Sequence, residues 1–491
     1  MLKPQYFFVQ INILFILFFI TACSRPIDQI YMDGQFIDWQ RLSPVYEDKA
    51  GDLQTGRLDF GKLWITNDAD YLYFRIEVGA EINIQDDNEL TLFLDTDDNA
   101  VSGKQVHGIG ADLIYEFGNR EGVFFSNSDT ISISHFSIGL VTFPTVTCNQ
   151  FEIAISRKSL PDKKSPAFPG KTIRLMIMDK VDGGDVLPDE PGGVKYTFWD
   201  EVPRRLPPVS IKKNNPNSIR IMTYNALLDG LFKADQFTAM SRIIQTIHPE
   251  IMVFQEIYNY DSEAALRQIE EIIPSSEKQH WFSMKGGQDV IIISRYAIED
   301  STTIDGNGAF LIDLYPKFES KLLLIGAHLP CCGNNEGRRN EIDALMQFIR
   351  EAKKSKGEIP LIENTPIIIL GDLNLVGDSQ QLRTLLNGDI QDTMRFGSRF
   401  LPDWDNSDFA DLLPYCTNIP FALTWSDPNA SFSPGRLDFM IYSDSVIDPV
   451  KKFVLFTPAI SPDSLAAYGL DADDALNASD HFPVVADFVL K

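Results

Sequence analysis

The chain is read as an all-β half followed by an α/β half, and three observations predict this. Up to about Trp199, short apolar segments alternate in a period of two and are broken by turn residues every ten or so positions. From Ile219 onward, continuous aliphatic runs alternate with stretches whose apolar residues recur at helical spacing. Between them, residues 201–218 are rich in proline, asparagine and basic side chains and show no hydrophobic period, as an exposed linker does.

The composition, 44% hydrophobic and 23% charged, is that of globular protein rather than disordered chain. Formal net charge is −26; the segment from Ile219 holds 22 basic and 39 acidic side chains, a net −17, which leaves −9 before it. Neither half is an electrostatic trap for a polyanion, so a nucleic-acid substrate would have to be held locally or through a metal.

Lys3 precedes an apolar run from Phe7 to Ile20, and Ile20-Thr21-Ala22-Cys23 follows. The run is short for a ~30 Å hydrocarbon core. This arrangement resembles a bacterial lipoprotein signal, which implies a signal peptide over 1–22, lipid attachment at Cys23 and export to a membrane surface. Ser24 in place of Asp favours the outer membrane. Cys148, Cys331, Cys332 and Cys416 remain, and an exported location permits disulfides. A bridge from the vicinal pair to Cys416 is the preferred of the pairings; a zinc site lacks histidines at ligand spacing.

In the first half, Tyr71–Val78, Leu90–Leu94, Ile131–Ser134 and Ile173–Met178 are the clearest strands of a β-sandwich over residues 24–200. Met32-Asp-Gly34 with Asp38-Trp39, Asn67-Asp68, and Leu94-Asp-Thr-Asp-Asp-Asn99 leading to Gly110-Ala-Asp112 resemble the family-9-like carbohydrate-binding modules. That likeness implies a possible glycan partner. Asp95, Asp97 and Asn99 alternate like the first ligands of a calcium loop. Ala100 at the sixth position and the lack of a glutamate at the twelfth exclude an EF-hand. A structural Ca²⁺ and a plain acidic turn both stay open there, as they do for Asp179, Asp182 and Asp185.

In the second half, polar groups fall repeatedly at strand ends. Ile219–Asn225 ends in an amide and Ile251–Phe254 runs into Gln255-Glu256. Lys321–His328 ends in an imidazole. Pro366–Leu370 leads through Gly371 to Asp372 and Asn374, which a period of two places on one side. Phe237–Ile247 and Arg338–Lys354 carry helical stripes. Leu437–Tyr442 contains Asp438, and Asp480-His481 opens the last strand. Ligands and catalytic groups collect at such ends in layered α/β folds.

Thr223-Tyr-Asn225, Phe254-Gln-Glu256, Ile293-Ser-Arg-Tyr296, Ala327-His-Leu329, Gly371-Asp-Leu-Asn374, Arg436-Leu-Asp438 and Ser479-Asp-His-Phe-Pro483 occur in that order. The set resembles the endonuclease/exonuclease/phosphatase superfamily, which includes deoxyribonuclease I, abasic-site endonucleases, inositol polyphosphate 5-phosphatases and neutral sphingomyelinases. The resemblance covers nearly all of 219–491. It implies a four-layer α/β sandwich of two packed mixed sheets flanked by helices, and a hydrolase of phosphoric esters that uses Mg²⁺ or Mn²⁺. Glu256 would be the main metal carboxylate, with Asn225 and Asp480 completing or flanking its shell. Asp372 and Asn374 would orient water and phosphate. His481, paired with Asp438, and His328 would contact phosphate or move protons; whether Asp372 or His481 is the base stays open. Arg338 would contact the substrate phosphate.

The loop Pro330–Asn335 and the stretch Phe396–Pro420 with Trp404 are the expected specificity elements. The expected activity is phosphodiester hydrolysis, nuclease-like, on nucleic acid or a small molecule. Action on a lipid headgroup (phospholipase C-like or sphingomyelinase-like) and phosphomonoesterase activity are the enzymatic alternatives. A non-catalytic glycan-binding surface lipoprotein is the alternative of another class. No obligatory protein partner is implied.

Overall fold

The computed structural model describes residues 29–126, 129–200, 206, 208–277, 280–354 and 356–491. Cys23 and the apolar run before it lie outside these residues. No helix among them is long and apolar enough to cross a membrane.

The first half forms one five-stranded and one seven-stranded sheet. Tyr71–Ile82 and Cys148–Ser156 pair antiparallel in the first, and Leu90–Asp95 lies between Thr172–Asp179 and Leu113–Glu116 in the second. Alternate residues from both sheets, among them Leu72, Phe74, Ile76, Leu92, Leu94 and Ile177, share one core. Trp39 and Asn67, two of the residues that carry the likeness to sugar-binding modules, are used inside the fold. Trp39 is fully buried and donates its indole N–H to Glu152 at 2.9 Å. Asn67 accepts the Tyr196 hydroxyl at 2.7 Å.

The second half is built from two six-stranded mixed sheets, and the period of two in its strands explains their packing. Ile219, Ile221, Val253, Val290 and Ile292 of one sheet meet Phe310, Leu324, Ile368, Leu370 and Met440 of the other in a single core. The intervening residues Met222, Tyr224, Met252, Phe254 and Ile291 face the helices Ala234–Ile247 and Ser262–Ile272. On the far side, Leu323, Ile325, Ile367 and Ile369 face the helix Asn335–Lys353 through Ile342, Leu345, Met346 and Ile349. Both faces of the central strands are buried, which is why they read as unbroken aliphatic runs. The Asn334 side chain starts this last helix by accepting the Gly337 N–H at 3.0 Å.

Parallel pairing sets Asn225 opposite Gln255 in one sheet and His328 opposite Asp372 in the other. Asp438 pairs across from Asp372, and the last strand enters beside Thr223. Register alone therefore gathers the polar strand ends at one edge. Gly371, at φ +138°, permits the close approach: a Cβ there would stand 1.9 Å from the Ala327 carbonyl oxygen.

Two expectations need correction. The stretch 201–218 is not simply exposed. Ile211 is buried against the second half, and its carbonyl accepts the Arg220 guanidinium at 2.7 Å. Arg220 itself forms a buried, bidentate pair with Asp487 at 2.6 and 2.8 Å. A single apolar residue has no period, so the sequence pattern missed it. The four described cysteines are free. Cys416 is buried with its thiol on the Leu423 carbonyl, whereas Cys331 and Cys332 are exposed. The expected bridge to Cys416 is absent among the described residues.

Candidate functional site

Asp372 is the centre on which the other groups converge. Its Oδ2 accepts the Asn225 amide at 3.0 Å and lies 3.7 Å from His328 Nε2 and 3.6 Å from His481 Nε2. Each imidazole is held from behind by a second carboxylate: His481 Nδ1 meets Asp438 at 2.8 Å, and His328 Nδ1 meets Asp289 at 2.5 Å. The Asn225 amide also donates to Glu256 Oε1 at 3.0 Å. Glu256 sits at φ +62°, where its N–H reaches Asp289 and its other oxygen accepts the Leu228 N–H. Asn374, at φ +48°, donates its amide to the Leu329 carbonyl at 2.9 Å. It thereby ties the Asp372 turn to the loop that follows His328.

The electrostatics follow from this crowding. Burial works against charge on His481, but Asp438 and Asp372 outweigh it and raise the imidazole to about 10. Burial likewise opposes the His328 cation, and Asp289, Asp372 and Glu256 overcome it, to about 9. Burial raises Asp372 to about 6, with the two histidines pulling the other way. The site thus favours two imidazolium groups around one buried carboxyl.

A cleft of about 840 Å³ opens onto these groups. Glu256, His328, Asp372, Asn374 and His481 line it, as do Cys331, Cys332 and Gly333 of the loop expected to control access. A neighbouring thiol's hydrogen bond and burial push Cys331 up to about 11, so it stays a neutral thiol.

Five expectations are corrected or narrowed. Arg338 is fully buried under that loop, where it donates to Gln381, the Pro330 carbonyl and Asn335 at 3.1, 2.7 and 2.7 Å. Its donors are spent on protein, so it braces the loop and does not reach the cleft. Asp480 gives its Oδ2 to the Trp425 indole at 2.9 Å and is not among the cleft-lining residues. Trp404 donates to the Thr365 carbonyl and packs into a core, so the stretch Phe396–Pro420 does not contribute it to the cleft. In the first half, Asp95 and Asp97 converge with Asp112, all within 4.8 Å, and Asn99 instead caps the Val101 N–H. Asp95 is buried, and its Oδ2 has no partner. Of the other acidic group, Asp185 lies with Asp48 and Asp52 rather than with Asp179 and Asp182.

The sequence missed Asp289, which orients His328. An acid at the entry of a buried strand was its only signal. Because Val290–Ser294 runs antiparallel to Ile251–Gln255, that entry falls beside Glu256.

Glu256 and Asp372 offer hard carboxylate oxygens, which fit Mg²⁺ or Mn²⁺ better than a soft metal; the Asn225 amide nitrogen bridges the two, while its oxygen accepts the Leu227 N–H at 3.0 Å.

Among curated proteins, the chain is similar to an uncharacterized protein from Caenorhabditis elegans. The two are 21% identical over 313 residues, 57% of this chain and 94% of the relative. Among solved structures it is similar to TDP2 of D. rerio complexed with a single-strand DNA product, at 17% identity and a TM-score of 0.36, covering 55% of this chain and 99% of that one. It is also similar to sphingomyelinase C from Streptomyces griseocarneus, at 13% identity and a TM-score of 0.34, covering 55% and 99%. The human Nocturnin catalytic domain with a bound sulfate anion shows 14% identity and a TM-score of 0.36, over 56% and 95%. Residues 222–481, more than half of the chain, match the Endonuclease/Exonuclease/phosphatase family, and the chain belongs to that family.

Proposed function

We propose that the cleft hydrolyses phosphodiester bonds by in-line attack of water, with Mg²⁺ or Mn²⁺ held by Glu256. The observation that carries this reading is the Asp372 carboxylate set between two imidazoles that are each backed by a second carboxylate. A bound divalent ion would supply Lewis-acid neutralisation of the phosphate charge.

The chain's own groups account for the proton steps. His481 and His328, kept cationic by their carboxylates, hold the non-bridging oxygens. An imidazolium has no lone pair to offer, so Asp372 is the better acceptor of the water proton. The water oxygen bonds to phosphorus, the bond to the leaving oxygen breaks, and an imidazolium Nε2–H protonates that oxygen. Asn225, hydrogen-bonded to both Asp372 and Glu256, couples the acceptor to the metal carboxylate.

Hydrolysis of bis-p-nitrophenyl phosphate with Mg²⁺, Mn²⁺ or EDTA tests the reading. Activity is expected with metal, lost in EDTA and lost in Asp372→Ala and His481→Ala. Full activity in EDTA, or in either variant, refutes it.

Two further elements belong to the proposal. The lipobox cysteine Cys23 supports an exported, lipid-anchored protein, and incorporation of labelled fatty acid that disappears in Cys23→Ala tests it. The unpartnered Asp95 oxygen beside Asp97 and Asp112 supports a structural Ca²⁺ in the first half.

A further inference from the structure

The first half reaches into the cleft. Asn83, Gln85 and Asp86, which follow the strand Tyr71–Ile82, line it, and so does Thr145 before the strand Cys148–Ser156. The same two loops grip the segments that carry catalytic groups. Asn83 donates to the Val376 carbonyl at 2.9 Å, Thr145 to Leu375 at 3.0 Å, and the Thr147 N–H to Gly377 at 2.8 Å, all just beyond Asn374. Gln85 accepts the Ser433 N–H at 2.7 Å, on the segment leading to Asp438. Met32 exchanges backbone hydrogen bonds with Pro420 and Ala422 at 2.8 and 3.0 Å, ahead of Trp425, which bridges to His481.

The character of the wall is equally specific. Among the described residues, the lining holds the carboxylates of Asp86, Glu256, Asp289, Asp305, Glu341 and Asp372 and no lysine or arginine. Arg120 stands behind the wall, 3.4 Å from Asp86 and 4.2 Å from the Phe432 ring, so it offsets part of the Asp86 charge and is not itself presented to the cleft. One phosphate can be neutralised at the centre by the two histidines and a metal. The flanking phosphates of a polynucleotide would meet carboxylates, where nucleic-acid sites place cations.

We propose that the first half is a selectivity wall of the substrate cleft, and that it restricts the site to esters whose only phosphorus is the one attacked. This rests on the phosphoesterase reading above and names its substrate class. The shared chemistry is a single-phosphorus diester with a neutral or cationic remainder, whether a soluble molecule or a lipid headgroup.

The test uses the full chain with Mn²⁺ and, separately, with Mg²⁺. Specificity constants are measured on bis-p-nitrophenyl phosphate, glycerophosphocholine, sphingomyelin vesicles and a single-stranded oligonucleotide, at low and high salt. Glycerophosphocholine or sphingomyelin, whose leaving groups are alkoxides like that of the oligonucleotide, is expected to exceed it, per bond, by at least about tenfold. Glycerophosphocholine against the vesicles identifies the source, and preference for either agrees with the wall. Asp86 is 63% exposed, so Asp86→Arg leaves the core untouched; it also removes the partner of Arg120 and turns this corner of the wall basic. In that variant the ratio of oligonucleotide to diester should rise at least about fivefold at low salt and fall back at high salt. An oligonucleotide preference in the native chain overturns the wall. So does a ratio unmoved in an Asp86→Arg protein of native melting temperature. Inertness to every probe with either metal sinks the phosphoesterase reading itself, and the wall with it.

Discussion

Replacing Asp438 with asparagine removes the charge behind His481 without changing the side-chain outline. Asp438 is buried and meets Nδ1 at 2.8 Å, so the two charges lie roughly 4 Å apart once their delocalisation is counted. At an effective dielectric near 20 that interaction is worth about 4 kcal/mol. A loss of that size lowers the imidazole by about 3 pH units, from about 10 to near neutrality. At pH 6 the variant keeps the cation and loses mainly orientation. At pH 8 about nine-tenths of the cation is gone as well. The expected result is a kcat on bis-p-nitrophenyl phosphate that falls about 10²- to 10³-fold at pH 8, with a smaller loss at pH 6. The alkaline limb should move down in the variant, while native activity should hold until the imidazole titrates. The assay is a pair of kcat–pH profiles with saturating Mn²⁺. Equal losses at pH 6 and pH 8 would refute the reasoning, and a native rate that climbs as His481 deprotonates would make His481 the base.

Ca²⁺ at about 100 times its dissociation constant should stabilise the protein by about 2.7 kcal/mol, seen as a higher melting temperature that EGTA reverses and Asp95→Asn abolishes; no shift removes that cation. Gly371→Ala forces a side chain onto the Ala327 carbonyl at φ +138° and should cost at least about 3 kcal/mol in urea unfolding. Glu152 is fully buried, and burial raises it to about 8, against hydrogen bonds from the Gly34 N–H and the Trp39 indole and with the Asp33 charge raising it further. Because its folded value lies above its unfolded one, its contribution is fully present below the ordinary glutamate range and is lost as pH rises through about 8. The stability of Glu152→Gln should therefore lack a decline of up to about 1.4 kcal/mol per pH unit across that window, and identical pH slopes in denaturant melts would contradict it.

How much of this was legible in the sequence depended on which physical signal each residue left. Ile219–Asn225 and Lys321–His328 were read with their observed ends, because a strand buried on both faces is an aliphatic run and its first polar residue marks the exit. Asp372, Asn374, His328, His481, Asp438, Glu256 and Asn225 were all singled out on that basis, and register brings them together. Asp289 was not, since an acid before a strand looks like any turn residue until antiparallel pairing places it beside Glu256. Arg338 was misjudged for a related reason. The family resemblance implies a phosphate contact for it, but the packed loop supplies three protein acceptors instead.

The relation between the halves left the least trace, and the reason is general. Alternation in a strand reports that one face is buried but not what lies against it. Met32 and Trp39 are therefore legible only as motif residues of a carbohydrate-binding-like module, and Trp64 and Phe143 leave no signal of a partner. In the structure they join Phe421, Leu423 and Phe482 in the core that also lies between the two sheets of the second half. Burying a large apolar side chain contributes about 1.5–3 kcal/mol, so several such residues bind the halves far more firmly than a proline-rich tether would suggest. Loops anchored on that shared core carry Asn374, Asp438 and His481. A cut between the halves would expose Phe421, Leu423 and Phe482 of this core close to the catalytic strand ends.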